Sequence, residues 1–168
     1  MQTLPDLFTL LQSLAWSTAG RVTLAAILGG IIGIEREWRG RPAGFRTNIL
    51  IAIGACLFTV LSIEGFPLNG SSAQDTARVA AQIVSGVGFL GAGALLQTRN
   101  KTKGMTTAAT IWLVAAIGMA VGTGAYFLAV FTTLLTAAVL QLLRPVSKMV
   151  EEEGKQHKKE EKEAQEGP

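Results

Sequence analysis

The sequence predicts an all-α fold, a polytopic transmembrane helical bundle of five spans, and three observations predict it. The chain of 168 residues is 49% hydrophobic and only 16% charged, apolar for its length. Its charges gather in a few short clusters and in the carboxyl-terminal segment, leaving uncharged stretches of roughly 17 to 19 residues, near the length that crosses a bilayer. Those stretches lack the polar residue at every third or fourth position that helices of a water-soluble domain carry.

The first thirteen residues read as an interfacial segment. Leu4, Leu7, Phe8, Leu10 and Leu11 recur at helical spacing, and Trp16 suits a membrane boundary. No basic n-region or cleavage site accompanies them, so a removable signal peptide is not expected. The transmembrane domain is read over 14–144, with spans at 14–34, 47–63, 79–97, 105–121 and 125–143. Within the first, residues 22–34 alone reach only about 20 Å at the helical rise, short of a ~30 Å hydrocarbon core. Arg21 is therefore placed near the boundary, snorkelling or paired with Glu64 or Asp75. Residues 145–168 form a mixed-charge tail with no apolar face to bury, read as disordered or weakly helical, and His157 within it as solvated.

The links between spans alternate in sign. Arg36, Arg39, Arg41 and Arg46 join spans one and two, and Arg99, Lys101 and Lys103 join three and four, so both links are placed in the cytoplasm. Five spans then put the amino terminus outside and the carboxyl terminus inside.

Several chemistries find no support. A formal charge of +3, with basic residues flanking apolar runs instead of forming a stripe with aromatics, argues against nucleic acid. Cys56 is the single cysteine and reads as a buried small hydrophobe. Gly86-Val-Gly-Phe-Leu-Gly91 matches the dinucleotide-binding pattern by letter, but it follows no strand. No phosphate-cradling loop ends in Gly-Lys-Ser/Thr, and the only histidine lies in the tail, so no enzyme and no cofactor are expected. No metal-ligand set is assigned.

The third span carries the most pattern. At 100° per residue Asp75, Gln82, Gly86, Gly93 and Gln97 share one stripe, while Gly88 and Gly91 face the opposite side. Glycine on two faces lets neighbouring backbones approach from both directions, which predicts a central helix. The stripe reads either as a polar path with Asp75 at its mouth and Gln82 buried, or as helix glue plus a Ser72-x-x-Asp75 cap with Asp75 and Arg78 paired on adjacent turns. At the end of the first span, Glu35 either holds a cation or clamps the first hairpin by pairing with Arg46, beside Arg36 and Glu37. Thr106, Thr107 and Thr110 make a hydroxyl patch expected to bond back to its own helix. Gly29-x-x-x-Gly33 and Gly118-x-x-x-Gly122 are close-packing patterns that serve either within the bundle or between protomers of a homo-oligomer.

Over roughly residues 20–140 the chain resembles the MgtC/SapB family. The resemblance rests on Gly33-Ile-Glu-Arg-Glu37, Gly44-Phe-Arg-Thr47, the stretch from Asp75-Thr-Ala-Arg78 through Gly93, and Gly104-Met-Thr-Thr-Ala-Ala-Thr-Ile-Trp112, four motifs in the family's order. It implies a multi-pass protein of the bacterial inner membrane, linked to magnesium homeostasis, to adaptation to low magnesium and, in pathogens, to virulence. It also implies action on membrane partners such as the ATP synthase or a transporter; the rival reading, direct transport of magnesium or another cation, rests on the Asp75 and Gln82 stripe of the third span. Two departures stand out. Thr76 takes the place of a proline that the family pattern puts after the aspartate, and only a charged tail follows the last span where many relatives carry a folded domain.

Overall fold

The computed structural model describes residues 17–64, 76–96 and 104–143. These form five helices: α1 (Thr18–Trp38), α2 (Phe45–Glu64), α3 (Thr76–Leu96), α4 (Met105–Gly122) and α5 (Tyr126–Leu142), and no strand occurs among them. The first four are long and apolar enough to cross a membrane, while α5, with 17 residues, is shorter. The expected interfacial segment, residues 65–75 and the charged tail lie outside the described residues.

Helix ends follow from local chemistry. The Ser17 Oγ accepts the Gly20 N–H at 3.2 Å and caps α1. At the other end Gly40 takes a φ of 61°, its N–H reaching the Glu37 carbonyl (2.9 Å) and that of Arg41 reaching the Arg36 carbonyl (3.1 Å). This paired closure satisfies carbonyls the helix would otherwise leave bare, and Pro42 follows it. The same closure ends α4, where Gly124 (φ 84°) donates to the Val121 carbonyl and Ala125 to the Ala120 carbonyl. With 21 residues, α1 is about 31 Å long, a full span. Its uncharged stretch, residues 22–34, keeps the expected length of about 20 Å, and the helix gains the rest by starting before Arg21 and continuing through the charged residues to Trp38.

The chain divides after Thr133 into two compact units. In the first, α2 lies against α1 and α4, with α3 alongside α4 and α2. Its core is built from Ala25, Leu28 and Ile32 of α1, Ala52, Cys56 and Val60 of α2, and Val114, Ile117 and Val121 of α4. Large side chains such as Ile27, Leu61 and Phe89 point outward, as expected where the surroundings are lipid. In the second unit, the described residues 134–143 carry the end of α5, on which Leu134, Leu135 and Leu142 are exposed and Thr136 is buried.

Glycine decides which helices meet closely. A Cβ on Gly29 would sit 2.7 Å from both the Ala52 Cβ and the Asn48 carbonyl oxygen, and one on Gly33 2.8 Å from the Phe45 Cα. A Cβ on Gly118 would fall on the Ala52 carbonyl, and one on Gly122 would lie 2.7 Å from the Thr59 Cβ. Both spaced glycine pairs therefore serve within the chain, gripping α2 from two sides. The expectation of a central third span is corrected: α3 is the least enclosed of the four long helices. A Cβ on Gly91 would meet that of Ala108 at an ordinary 3.5 Å, whereas one on Gly86, Gly88 or Gly93 would meet no neighbouring group within 4 Å. Small residues permit close approach but do not compel it, and here α2 receives the tight contacts.

Candidate functional site

Polar side chains concentrate at the end of the first unit that carries the α1–α2 turn. Glu35 and Arg36 are 7% and 3% exposed there, and the Arg36 Nε donates to the Glu35 Oε2 at 2.6 Å. The other carboxylate oxygen, Oε1, faces the Arg39 Nε as an ion pair without an aligned hydrogen bond. Helical geometry explains the choice, because Arg39 stands one turn from Glu35. The expected Glu35–Arg46 clamp is thus replaced by an intrahelical one: Arg46 is exposed, and among the described residues no ion pair reaches it.

The hairpin is held by other groups. The Glu37 Oε2 accepts the Phe45 N–H at 2.6 Å, satisfying a donor at the start of α2. Asn48, fully buried, donates from Nδ2 to the carbonyls of Ala43 (2.9 Å) and Gly44 (2.8 Å). Its Oδ1 and the Arg36 Nη1 are buried without a hydrogen-bond partner among the described residues. Asn48 was missed as a candidate from sequence. The available signal was a carboxamide at the second position of an otherwise uncharged span, facing the spaced glycines of α1.

The hydroxyl patch of α4 is split. Thr107 and Thr110 are buried and Thr106 is exposed, and the Thr110 Oγ1 donates to the Thr106 carbonyl at 2.7 Å, bonding back to the helix. At the opposite end of the unit the Arg21 Nη1 meets the Glu64 Oε1 at 2.5 Å and the Gly122 carbonyl at 3.4 Å. Of the two partners expected for Arg21 this is one; Asp75, the other, lies outside the described residues. So does the Asp75–Arg78 pairing, while Arg78 itself is exposed on α3.

The described members of the α3 stripe do share a face. Gln82, Gly86 and Gly93 line a groove of ≈ 820 Å³ between α2 and α3, opposite Thr47, Gly54 and Phe58. Gln82 is exposed in that groove, not buried as expected, and Gln97 lies outside the described residues. Among the described residues no three histidine, cysteine, aspartate or glutamate side chains gather as metal ligands.

Four long apolar helices, three of them packed through close glycine contacts, define a multi-span helical membrane protein. The chain belongs to the MgtC family, whose model matches residues 22–149. It is 45% identical over 130 residues to YhiD of Escherichia coli (strain K12), whose given name proposes it as a magnesium transporter; the match covers 76% of this chain and 60% of that protein. It is 46% identical over 134 residues to Protein MgtC of Brucella abortus (strain 2308), covering 80% of this chain and 54% of the relative. A protein of Synechocystis, slr0014, is 44% identical over 130 residues, covering 77% and 53% respectively. The chain thus spans little more than half the length of these relatives. No solved structure matches it.

Proposed function

We propose that this magnesium-related membrane protein sits in the bacterial inner membrane and acts on other membrane components, such as the ATP synthase or a transporter, without itself carrying the ion or catalysing a reaction. One observation carries the reading: the seam where α1 and α4 grip α2 brings glycine against backbone, with Ala52 between Gly29 and Gly118. Magnesium keeps several waters and demands octahedral oxygen ligands, and such a seam offers room for neither. The buried acid, Glu35, is engaged by two arginines. In this reading the arginines of the α1–α2 turn favour a cytoplasmic turn and an amino terminus outside, and a fifth crossing by α5 leaves the carboxyl terminus inside.

Direct transport is the second reading, favoured by the opening of Gln82 onto the α2–α3 groove and by the name of the Escherichia coli relative. Purified protein in sealed vesicles separates the two. Magnesium flux that Asp75→Asn abolishes would replace the first reading with the second; no flux, with a membrane complex co-purifying from native membranes, is the expected result.

A further inference from the structure

We infer that the groove between α2 and α3 seats one acyl chain of an anionic phospholipid, with its phosphate held by Arg41 and Arg46 at the groove's mouth. The groove is lined on α2 by Thr47, Leu50, Gly54 and Phe58 and on α3 chiefly by apolar and glycine positions, so its walls suit a hydrocarbon. Glycine makes it deep: a Cβ on Gly54, Gly86 or Gly93 would meet nothing within 4 Å.

Length selects the occupant. The groove follows α2 from Thr47 to Phe58 for about 16 Å and α3 from Val79 to Ala94 for about 22 Å, both short of a ~30 Å hydrocarbon core. A groove that stops short of the bilayer's thickness fits a lipid tail entering from one side, whereas a helix from a second copy would need one running the full thickness.

Charge selects the headgroup. Pro42 and Ala43 line the mouth, and Arg41 and Arg46 flank them in the chain. The α1–α2 turn holds Arg36, Arg39, Arg41 and Arg46 against Glu35 and Glu37, an excess of two positive charges (four less two). Both carboxylates are already engaged, Glu35 by Arg36 and Arg39 and Glu37 by the Phe45 N–H. The excess therefore resides on Arg41 and Arg46, which are exposed and meet no carboxylate among the described residues. A phosphate at the membrane surface complements them.

The test is native mass spectrometry of the full chain released from micelles containing equal phosphatidylglycerol and phosphatidylcholine. Phosphatidylglycerol is expected to remain bound in preference, and the Arg41→Gln/Arg46→Gln variant to lower that preference by about fivefold per arginine, the factor for one cationic side chain near a lipid headgroup. Gly86→Leu, which fills the groove where space is open, is expected to reduce retention of either lipid while leaving the thermal midpoint near that of the parent. Equal retention of the two lipids would overturn the inference, as would retention that Gly86→Leu leaves unchanged. A dimer that Gly86→Leu dissociates, with no lipid preference in the parent, would overturn it too and give the groove to a second copy.

Discussion

Gly118 of α4 rests directly against the carbonyl of Ala52 in α2, so closely that a single added methyl would clash with its oxygen. On the opposite side the missing side chain of Gly29 would lie 2.7 Å from the Ala52 Cβ. One small residue thus joins three helices, and the seam depends on what is absent from its neighbours. In lipid, where no hydrophobic gain drives one helix onto another, such van der Waals contact is a main source of association.

Gly118→Ala is therefore expected to destabilise the bundle by about 1–3 kcal/mol, the usual cost of forcing atoms into a packed interior. Gly88→Ala changes the same residue type on α3, where a Cβ meets nothing within 4 Å. It should cost nothing and gain up to ~1 kcal/mol from helix propensity. Thermal unfolding in detergent of the two variants, side by side, checks this. Equal midpoints would show that the Gly118 contact does not hold the helices together.

The contrast between those glycines also marks how far the sequence could be read. The five helices were visible because lipid imposes length and apolarity on each span, and the pairs Gly29/Gly33 and Gly118/Gly122 were visible because one helical face repeats every fourth residue. The place of α3 was not visible. Its glycines have the same local pattern, and only the matching surface of a partner distinguishes a gripped glycine from an open one. At the candidate site, Arg21 with Glu64 lay within reach of reasoning from span ends, as did the backbone bond of Thr110. The partner of Glu35 did not. Four arginines stand near it in sequence, and the choice of Arg36 and Arg39 over Arg46 depends on α1 continuing unbroken to Trp38. Asn48 escaped because its partners are carbonyls of its own helix start, which a sequence does not display as a pattern.

Glu35 is expected to be the costliest polar side chain to remove. Glu35→Ala leaves the guanidinium of Arg36 buried with no opposing charge, a loss of about 3–5 kcal/mol for breaking one side of a buried pair. Replacing both at once, Glu35→Leu with Arg36→Met, removes the stranded charge and should recover most of that loss. A double-mutant cycle on unfolding free energies reads the coupling. If the double variant is as unstable as Glu35→Ala alone, the pair is not what stabilises this end.

The start of α2 offers a smaller effect. Glu37→Ala deprives the Phe45 N–H of its acceptor, a capping loss of about 0.5–2 kcal/mol, and Glu37→Gln, which keeps an oxygen in place, should restore part of it. Amide hydrogen exchange of the first turn of α2 reports the change locally. Exchange is expected to rise at Phe45 and its neighbours in Glu37→Ala and to stay unchanged at the far end of the helix.

The last expectation concerns that far end, where Arg21 of α1 meets Glu64 of α2 with side-chain exposures of 19% and 45%. A pair this open to its surroundings is worth little, so Arg21→Ala or Glu64→Ala should each cost no more than about 1 kcal/mol. The informative variant is the exchange. Arg21→Glu alone sets two carboxylates against each other, and adding Glu64→Arg returns an opposite pair in reversed order. Recovery of the thermal midpoint in the exchanged protein would demonstrate contact between the ends of α1 and α2. Recovery should be incomplete, because the Arg21 Nη1 also donates to the Gly122 carbonyl at the end of α4, an acceptor that glutamate cannot serve. Full recovery would mean that the reach to α4 contributes nothing.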